Sequence, residues 1–290
     1  MEEKNIPKNK IQDVEEFLTK TGFILEMEVA ELLIKKGYSV NVNRYFHDYD
    51  ENKNREIDII ASKKIGEIKV FLIIECKQSL TDDWIFICSD KGPGRYYSYI
   101  KHTPNASDTD KTKLFNNLPT LNHSIPFAQN RIIRDRSKKK STSLQIDTCL
   151  EKLPKALVDF VKSKQETLSR SIYIPIAVFS GSMFTAEYNK KLIVKNVDWV
   201  QHESVFESEN YIYSYEPLFL SSIMIPGTRA SSKEEKAKQN SAIAETSRDI
   251  GYRYLIDFTT KKGLVSLVSK LELSVSKIDL IKWIIPKEQK

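Results

Sequence analysis

Two neighbouring β-prone segments carry the residues that are best suited to a reactive or ligand-binding role. In the second segment an apolar run, residues 70–74, ends abruptly in Glu75, Cys76 and Lys77. Because side chains alternate along a strand, Glu75 and Lys77 are expected on one face and Cys76 on the other. The preceding segment carries Asp58 between two isoleucines, so adjacent strands could bring Asp58, Glu75 and Lys77 to one point. Charged groups at the end of a buried strand are costly without a partner or an ion.

The chemistry that fits these groups is the binding of a hard divalent cation. Magnesium prefers oxygen ligands, usually takes one or two carboxylates, and keeps water and phosphate oxygens in its other positions. Asp58 and Glu75 would supply the carboxylates, and the backbone carbonyl of Cys76 would supply a third oxygen. Mn²⁺ could substitute for Mg²⁺. Lys77 would then orient or deprotonate a water molecule for in-line attack on phosphorus.

A Glu-x-Lys tripeptide is not informative by itself, because it recurs elsewhere in the chain, for example at Glu2, Glu67 and Glu234. The tripeptide at Glu75 differs from these, since it ends a long apolar strand that follows another acid-bearing strand across a short turn. The alternative interpretation is a simple ion pair at a strand end, with Lys77 in solvent.

The elements that must position these residues follow an α/β pattern. Apolar residues recur at helical spacing from about residue 12 to 36, and Gly37 follows them as a helix stop. Residues 252–275 are interpreted as a strand and a closing helix, preceded by strands with intervening turns. The other predicted elements are strands at 38–46, 55–61 and 68–77, a helix at 146–166 and a strand at 171–180. This succession predicts a single α/β domain.

A long segment between the two helical patterns breaks this regularity. It is rich in Gly, Pro, Asn, Asp and Ser, and we interpret it as a loop-rich, basic insertion at 81–144 with little regular structure. The domain would then span 1–290, with its core at 13–80 and 145–282. Basic and aromatic residues of the insertion could contact phosphates and stack on bases, although a solvated loop explains them equally well. These candidate nucleic-acid contacts are Arg95, Tyr97, Arg131, Arg134, Arg136 and Lys138.

Composition excludes several classes of protein. Among 290 residues, 45 Lys and Arg against 39 Asp and Glu make a net charge of +6, which suits a polyanionic partner without proving one. Three cysteines without a C-x-x-C spacing disfavour a disulfide framework or a zinc site. The first residues have no apolar segment typical of a secretion signal, and no run is long enough to cross a bilayer. We therefore expect a cytoplasmic protein that does not bind membranes.

Residues 20–80 resemble the PD-(D/E)XK nuclease superfamily, the restriction-endonuclease-like fold, and within it the Mrr-like branch. The matching residues are the helix GFILEMEVAELLIKKGY at 22–38, Asp58 within REIDII, and Glu75-Cys76-Lys77. Ile57 stands where the family has a proline. The helix at 146–166 and the strand at 171–180 lie where the family places its next helix and strand.

The resemblance implies a mixed central sheet flanked by helices and Mg²⁺-dependent cleavage of phosphodiester bonds, usually in DNA. It also implies that Glu26 corresponds to an acidic residue that the family's first helix turns towards the site. Glu26 would then be an auxiliary catalytic carboxylate and could touch a second metal ion.

The sequence therefore predicts an endonuclease that acts on DNA, with Asp58, Glu75, Lys77 and Glu26 as catalytic residues. Three alternatives stay open: cleavage of RNA by the same fold, a nuclease-like domain that binds nucleic acid without cutting it, and a protein-interaction subunit. The chain could act as a homodimer or as a subunit of a larger restriction or defence system.

Overall fold

The structure is a computed structural model. It describes residues 8–66, 68–88, 99–101, 125–137, 140–142, 144–163, 171–206 and 252–276. The helices are α1 (Lys8–Lys20), α2 (Phe23–Lys35), α3 (Leu144–Ser163) and α4 (Lys261–Ser276). The first strands are β1 (Ser39–Asp48), β2 (Lys53–Ile65), β3 (Ile68–Lys77), β4 (Asp82–Cys88), β5 (Tyr99–Lys101), β6 (Phe127–Asp135) and β7 (Lys140–Thr142). The later strands are β8 (Ser171–Phe179), β9 (Ser182–Asn189), β10 (Lys191–Asn196), β11 (Trp199–Phe206) and β12 (Tyr252–Thr259).

All of these strands belong to one mixed sheet, in the order β1-β2-β3-β8-β12-β11-β6-β4-β9-β10. The strands β1, β2 and β3 form an antiparallel meander, and β3 then pairs in parallel with β8. The short strand β5 pairs with β8, and β7 pairs with β6. A parallel neighbour requires a crossover connection, and α3 lies in the chain between β3 and β8 as that connection requires. The mixed α/β sheet flanked by helices is therefore confirmed.

The sheet separates two apolar cores. One core contains the buried face of α3, packed on residues such as Phe71, Ile73 and Phe179. The other contains the buried faces of α2 and α4, packed on residues such as Leu72 and Ile74. Successive residues of β3 thus alternate between the two cores, as a strand covered on both faces must. In the described part of the chain no helix is long and apolar enough to span a membrane.

A proline inside α3 is accommodated by a neighbouring strand. Pro154 has no N–H group, so it cannot donate the helical hydrogen bond to the carbonyl of Leu150. The hydroxyl group of Ser204 on β11 donates to that carbonyl instead, at 2.6 Å. This bond attaches the middle of α3 to the sheet, close to the lysines at 152 and 155.

The N-terminal helical pattern is confirmed, but it forms two helices instead of one. The N–H group of Thr21 donates to the carbonyls of Phe17 and Leu18, and its hydroxyl group donates to Leu18 as well. These bonds end α1, and the poor helix propensity of Gly22 favours a break at the same place. Gly37 ends α2 as predicted, with a φ angle of 79° that glycine adopts readily.

The prediction of a loop-rich insertion at 81–144 is wrong where the structure describes this segment. The strands β4 and β6 lie inside the main sheet, and β4 pairs with both β6 and β9. Their buried residues, such as Trp84 and Phe86, belong to the same core as the face of α3. This part of the segment is a component of the central sheet, not an addition to it.

Candidate active site

The predicted residues meet where β2 and β3 separate. The ladder between these strands ends at the pair Ile59 and Ile74. Beyond that pair, the side chain of Asp58 takes the place of a backbone partner, because its Oδ2 accepts the N–H group of Cys76 at 2.6 Å. The carbonyl of Cys76 points to the same edge as its N–H group, since both groups of one strand residue face one neighbour. The carboxylate of Asp58 and the carbonyl of Cys76 therefore both face the space between the separated ends of β2 and β3.

Glu75 is the centre of the charged cluster and is 1 % exposed. It lies on the face of the sheet that α3 covers, and Lys77 follows on the same face. Lys77 donates from Nζ to Glu75 Oε1 at 2.7 Å. Lys152 of α3 donates to the same oxygen at 2.8 Å and lies 2.6 Å from Oε2. A buried carboxylate without such partners would be strongly destabilising, so the two lysines explain how Glu75 is tolerated.

Lys152 also approaches the second carboxylate. Its Nζ lies 3.9 Å from Oδ1 of Asp58, within the range of an ion pair. Sequence reasoning missed this lysine, because it lies about 75 positions beyond the Glu-x-Lys segment, a separation read from the sequence numbering. One signal was available: Cys149, Leu153 and Ala156 form the buried face of α3, and Lys152 borders that face at helical spacing.

Burial and nearby negative charge raise the pKa of Asp58. Its burial, together with the charge of Glu75, raises the pKa of Asp58 to about 7, although the hydrogen bond from Cys76 acts in the opposite direction. A raised pKa of this size means that the positive charge of Lys152 does not fully offset the burial of Asp58 and the charge of Glu75. Binding of a cation would supply further positive charge and would favour the ionised form.

The surroundings of Lys77 raise its pKa, and this limits the chemistry that its side chain can perform. Burial disfavours its charged form, but the charge of Glu75 and the hydrogen bond to it raise the pKa of Lys77 above the usual value. Lys77 is therefore a protonated ammonium group in this arrangement. Such a group can donate hydrogen bonds and stabilise negative charge, whereas it cannot remove a proton.

Glu26 lies on α2, which packs against the opposite face of the sheet from α3. Partial burial, followed by the charges of Glu56 and Glu75, raises the pKa of Glu26, whereas Lys152 and Lys77 lower it. Glu26, Asp58 and Glu75 are not grouped closely enough to hold one metal ion, so the auxiliary role of Glu26 stays a prediction. Glu28 and Glu31 of the same helix are exposed and pair with Lys261 and Lys35.

The donor set fits a magnesium ion only in part. Among the residues that the structure describes, no three His, Cys, Asp or Glu side chains are grouped to hold a metal ion. Two carboxylates and one carbonyl are nevertheless sufficient for Mg²⁺, which keeps water and substrate oxygens as its remaining ligands. One further feature favours a cation: the buried Oε2 of Glu75 already has a positive charge beside it, since Nζ of Lys152 lies 2.6 Å away.

The two cysteines near the site are not candidates for nucleophiles or thiolate ligands. Cys76 and Cys149 are both buried. Burial, the first cause in each case, raises the pKa of both thiols well above the usual value. Both side chains therefore stay protonated and fill space around the charged cluster.

The predicted nucleic-acid contacts of the basic segment have partners within the chain. Arg131 pairs with Asp147 at 2.6 Å, and Arg134 pairs with the buried Asp83. Arg136 donates to the carbonyls of Thr81 and Leu80. These three side chains hold β6 to its neighbours, and their role towards nucleic acid stays a prediction. Arg95, Tyr97 and Lys138 lie outside the described residues.

Comparisons of the chain with protein-family models, with curated proteins and with solved structures find no match. The function is therefore argued from the chemistry of the site.

Proposed function

We propose that this chain is a Mg²⁺-dependent endonuclease with a restriction-endonuclease-like core, and that it hydrolyses phosphodiester bonds of DNA. The observation that carries the proposal is the meeting of Asp58, Glu75 and Lys77 where β2 and β3 separate. Two carboxylates that can hold a metal ion and a protonated lysine beside them are groups that can support metal-assisted hydrolysis of a phosphodiester.

The order of the elements supports the same proposal. A helix, α2, precedes three antiparallel strands, and α3 then leads to β8, which is parallel to β3. The resemblance to PD-(D/E)XK nucleases implies a mixed sheet of this kind, with the acids on the second and third strands. The net charge of +6 is favourable for a polyanionic substrate.

Each residue has a role that follows from its surroundings. Asp58, Glu75 and the carbonyl of Cys76 would hold the metal, which when bound polarises a phosphate oxygen and lowers the pKa of a water molecule. Lys77, as an ammonium group, would orient the attacking water or stabilise charge on the phosphate. Its raised pKa argues against a role as the general base. Glu26 would be an auxiliary carboxylate at the edge of the site.

The proposal is tested by incubating the protein with matched single- and double-stranded DNA and RNA, in the presence of Mg²⁺, Mn²⁺ or EDTA. The expected result is cleavage of DNA that requires a divalent metal and that the variant Asp58→Asn does not perform. Metal-dependent cleavage of RNA alone would show that the substrate is RNA, with the same residues in the active site.

Nucleic-acid binding without cleavage, unaffected by EDTA and by Asp58→Asn, would contradict the proposal. It would instead identify a nuclease-like binding module. An absence of both binding and cleavage would favour a protein-interaction subunit.

A further inference from the structure

Lys152 occupies the position in the cluster where a cation would be most strongly attracted. Its Nζ lies 2.6 and 2.8 Å from the two oxygens of Glu75 and 3.9 Å from Asp58. The ammonium group is thus the positive charge shared by both carboxylates, whereas Lys77 is hydrogen-bonded to Glu75 from the strand itself. The side chain of Lys152 is 17 % exposed, so it has a route towards solvent.

We propose that Lys152 is a positioning residue that acts as an internal counter-cation: it holds the carboxylates of Asp58 and Glu75 together until a divalent metal binds, and it then withdraws. The inference rests on the metal site of the proposed function. It assigns to Lys152 a part that neither the Glu-x-Lys pattern nor the resemblance contains.

Charge and space both oppose the simultaneous presence of Lys152 and a metal ion beside the carboxylates. An ammonium nitrogen 2.6 Å from a carboxylate oxygen fills the volume beside that oxygen that a metal ion would need. A divalent ion held by both carboxylates would also repel an ammonium group at such a distance strongly, because the site is largely closed to water. A lysine has four rotatable side-chain bonds and a flexible stem, so Lys152 can move its charge outwards without a change in α3.

This role predicts an effect that a merely structural lysine would not have. Removal of Lys152 abolishes the competition for the carboxylates, so the metal affinity should increase. Lys152 competes with a metal ion for the same carboxylate oxygens, and the loss of one hydrogen bond to a charged group changes a binding constant by about tenfold or more. Lys152→Met should therefore bind Mn²⁺ about tenfold more tightly than the wild-type chain, or tighter still.

The experiment is a calorimetric titration of the full chain with Mn²⁺, without nucleic acid. Lys152→Met retains the length of the apolar stem, and Lys152→Gln serves as a second variant in case the first folds poorly. The matched control is Lys63→Met, because Lys63 is also partly buried and pairs with Glu272 at 3.0 Å. The control should bind Mn²⁺ as the wild-type chain does. An affinity of both Lys152 variants equal to or weaker than that of the wild type would overturn the inference.

A second readout separates displacement from simple charge repulsion. Lysines of the wild-type chain are acetylated with and without Mn²⁺, and the extent of modification at each position is measured by mass spectrometry. Lys152 should become several-fold more reactive when Mn²⁺ is present, whereas Lys63 should not change. Unchanged reactivity of Lys152 at saturating Mn²⁺ would contradict its withdrawal.

The two readouts also distinguish this inference from the proposed function. Mn²⁺ binding that tightens in Lys152→Met, in a protein that cleaves no nucleic acid, would support the counter-cation and contradict the nuclease. Metal-dependent cleavage with no gain of affinity in the Lys152 variants would support the nuclease and contradict the counter-cation.

Discussion

Glu75 and Asp58 illustrate how burial and charge are balanced within the site. Glu75 is almost completely buried and is neutralised by two lysines. Asp58 is further from those lysines, and its pKa is raised to about 7. The same strand end therefore contains one carboxylate with two close lysines and one whose negative charge is only partly offset, by Lys152 at 3.9 Å. Such unequal surroundings are typical of sites that bind an ion or exchange a proton.

Substitution of Lys77 tests whether this residue contributes to the cleavage step or to the binding of DNA. Lys77→Met should reduce DNA cleavage by about 100-fold or more, because the ammonium group that orients water or stabilises charge is lost. DNA affinity should change little, since Lys77 is 24 % exposed and hydrogen-bonded to Glu75. Cleavage rates and gel-shift affinities measure the two effects separately, and Lys63→Met on β2 is the matched control. Undiminished cleavage by Lys77→Met would remove the proposed role.

The residues on β2 and β3 were predictable, whereas Lys152 was not. Strand alternation places Glu75 and Lys77 on one face, and the antiparallel pairing of β2 with β3 across a short turn brings Asp58 beside them. Lys152 reaches the same point only because α3 crosses back over the sheet. A local pattern contains no information on that crossing, since it depends on long-range packing.

Among the elements, α3 connects the charged cluster to the rest of the sheet. Its buried face packs in the same core as β3 and β8, and Lys152 points to the site. One turn further along, the buried Lys155 pairs with Asp48, Asp50 and Glu151 at 3.0–3.2 Å. Burial alone would raise the pKa of Asp48, but its bonds to Lys155 and to backbone, with the charge of Arg55, keep it below the usual value.

The attachment of α3 to β1 can be tested by Lys155→Met. Loss of Lys155 leaves the buried Asp48 with Arg55 as a charged partner at 2.8 Å, which should cost up to about 3 kcal/mol of unfolding free energy. Urea denaturation should show a loss of this order. The loss should be less than additive with that of Asp48→Asn, because both changes remove one interaction. Lys35→Met, in an exposed pair with Glu31, should change stability by less than about 1 kcal/mol. A similarly small effect of Lys155→Met would contradict the account of α3.

Most elements around the site followed from sequence periodicity. The helical face before Gly37, the three strands of the meander, the helix α3 and the strand β8 are all present where the pattern placed them. The strands β4 and β6 were missed. Their pairing joins Asp82 to Asp135, more than fifty positions apart along the chain. Stabilisation of such a pair comes from its neighbours in the sheet, not from its own local sequence.

The strands of the described residues form one sheet with an apolar core on each face, so a charge buried in this sheet affects the stability of the fold. Asp58 has a higher pKa in the folded chain than the usual value of 3.8. The folded state therefore binds a proton more tightly than the unfolded state does in the window between these values. Stability falls as the pH rises through this window.

Asp58→Asn removes this titrating group, so its unfolding free energy should depend less on pH than that of the wild-type chain. Between about pH 5 and about pH 8, the metal-free wild-type chain should lose on the order of 2 kcal/mol of unfolding free energy that Asp58→Asn keeps. Asparagine can still accept the hydrogen bond from Cys76, so the comparison isolates the charge. Denaturant unfolding across this range measures the difference between the two proteins. Parallel profiles for the two proteins would contradict the assignment of a raised pKa to Asp58.

The most direct test of the central claim is the rate of Mg²⁺-dependent DNA cleavage by Asp58→Asn, compared with the wild-type chain and with Glu28→Gln. Glu28 is a carboxylate of α2 that lies at the surface and pairs with Lys261. The account predicts that Asp58→Asn is folded, at least as stable as the wild type at neutral pH, and inactive, whereas Glu28→Gln cleaves normally. Cleavage by Asp58→Asn at the wild-type rate would contradict the proposal that Asp58 belongs to the catalytic metal site.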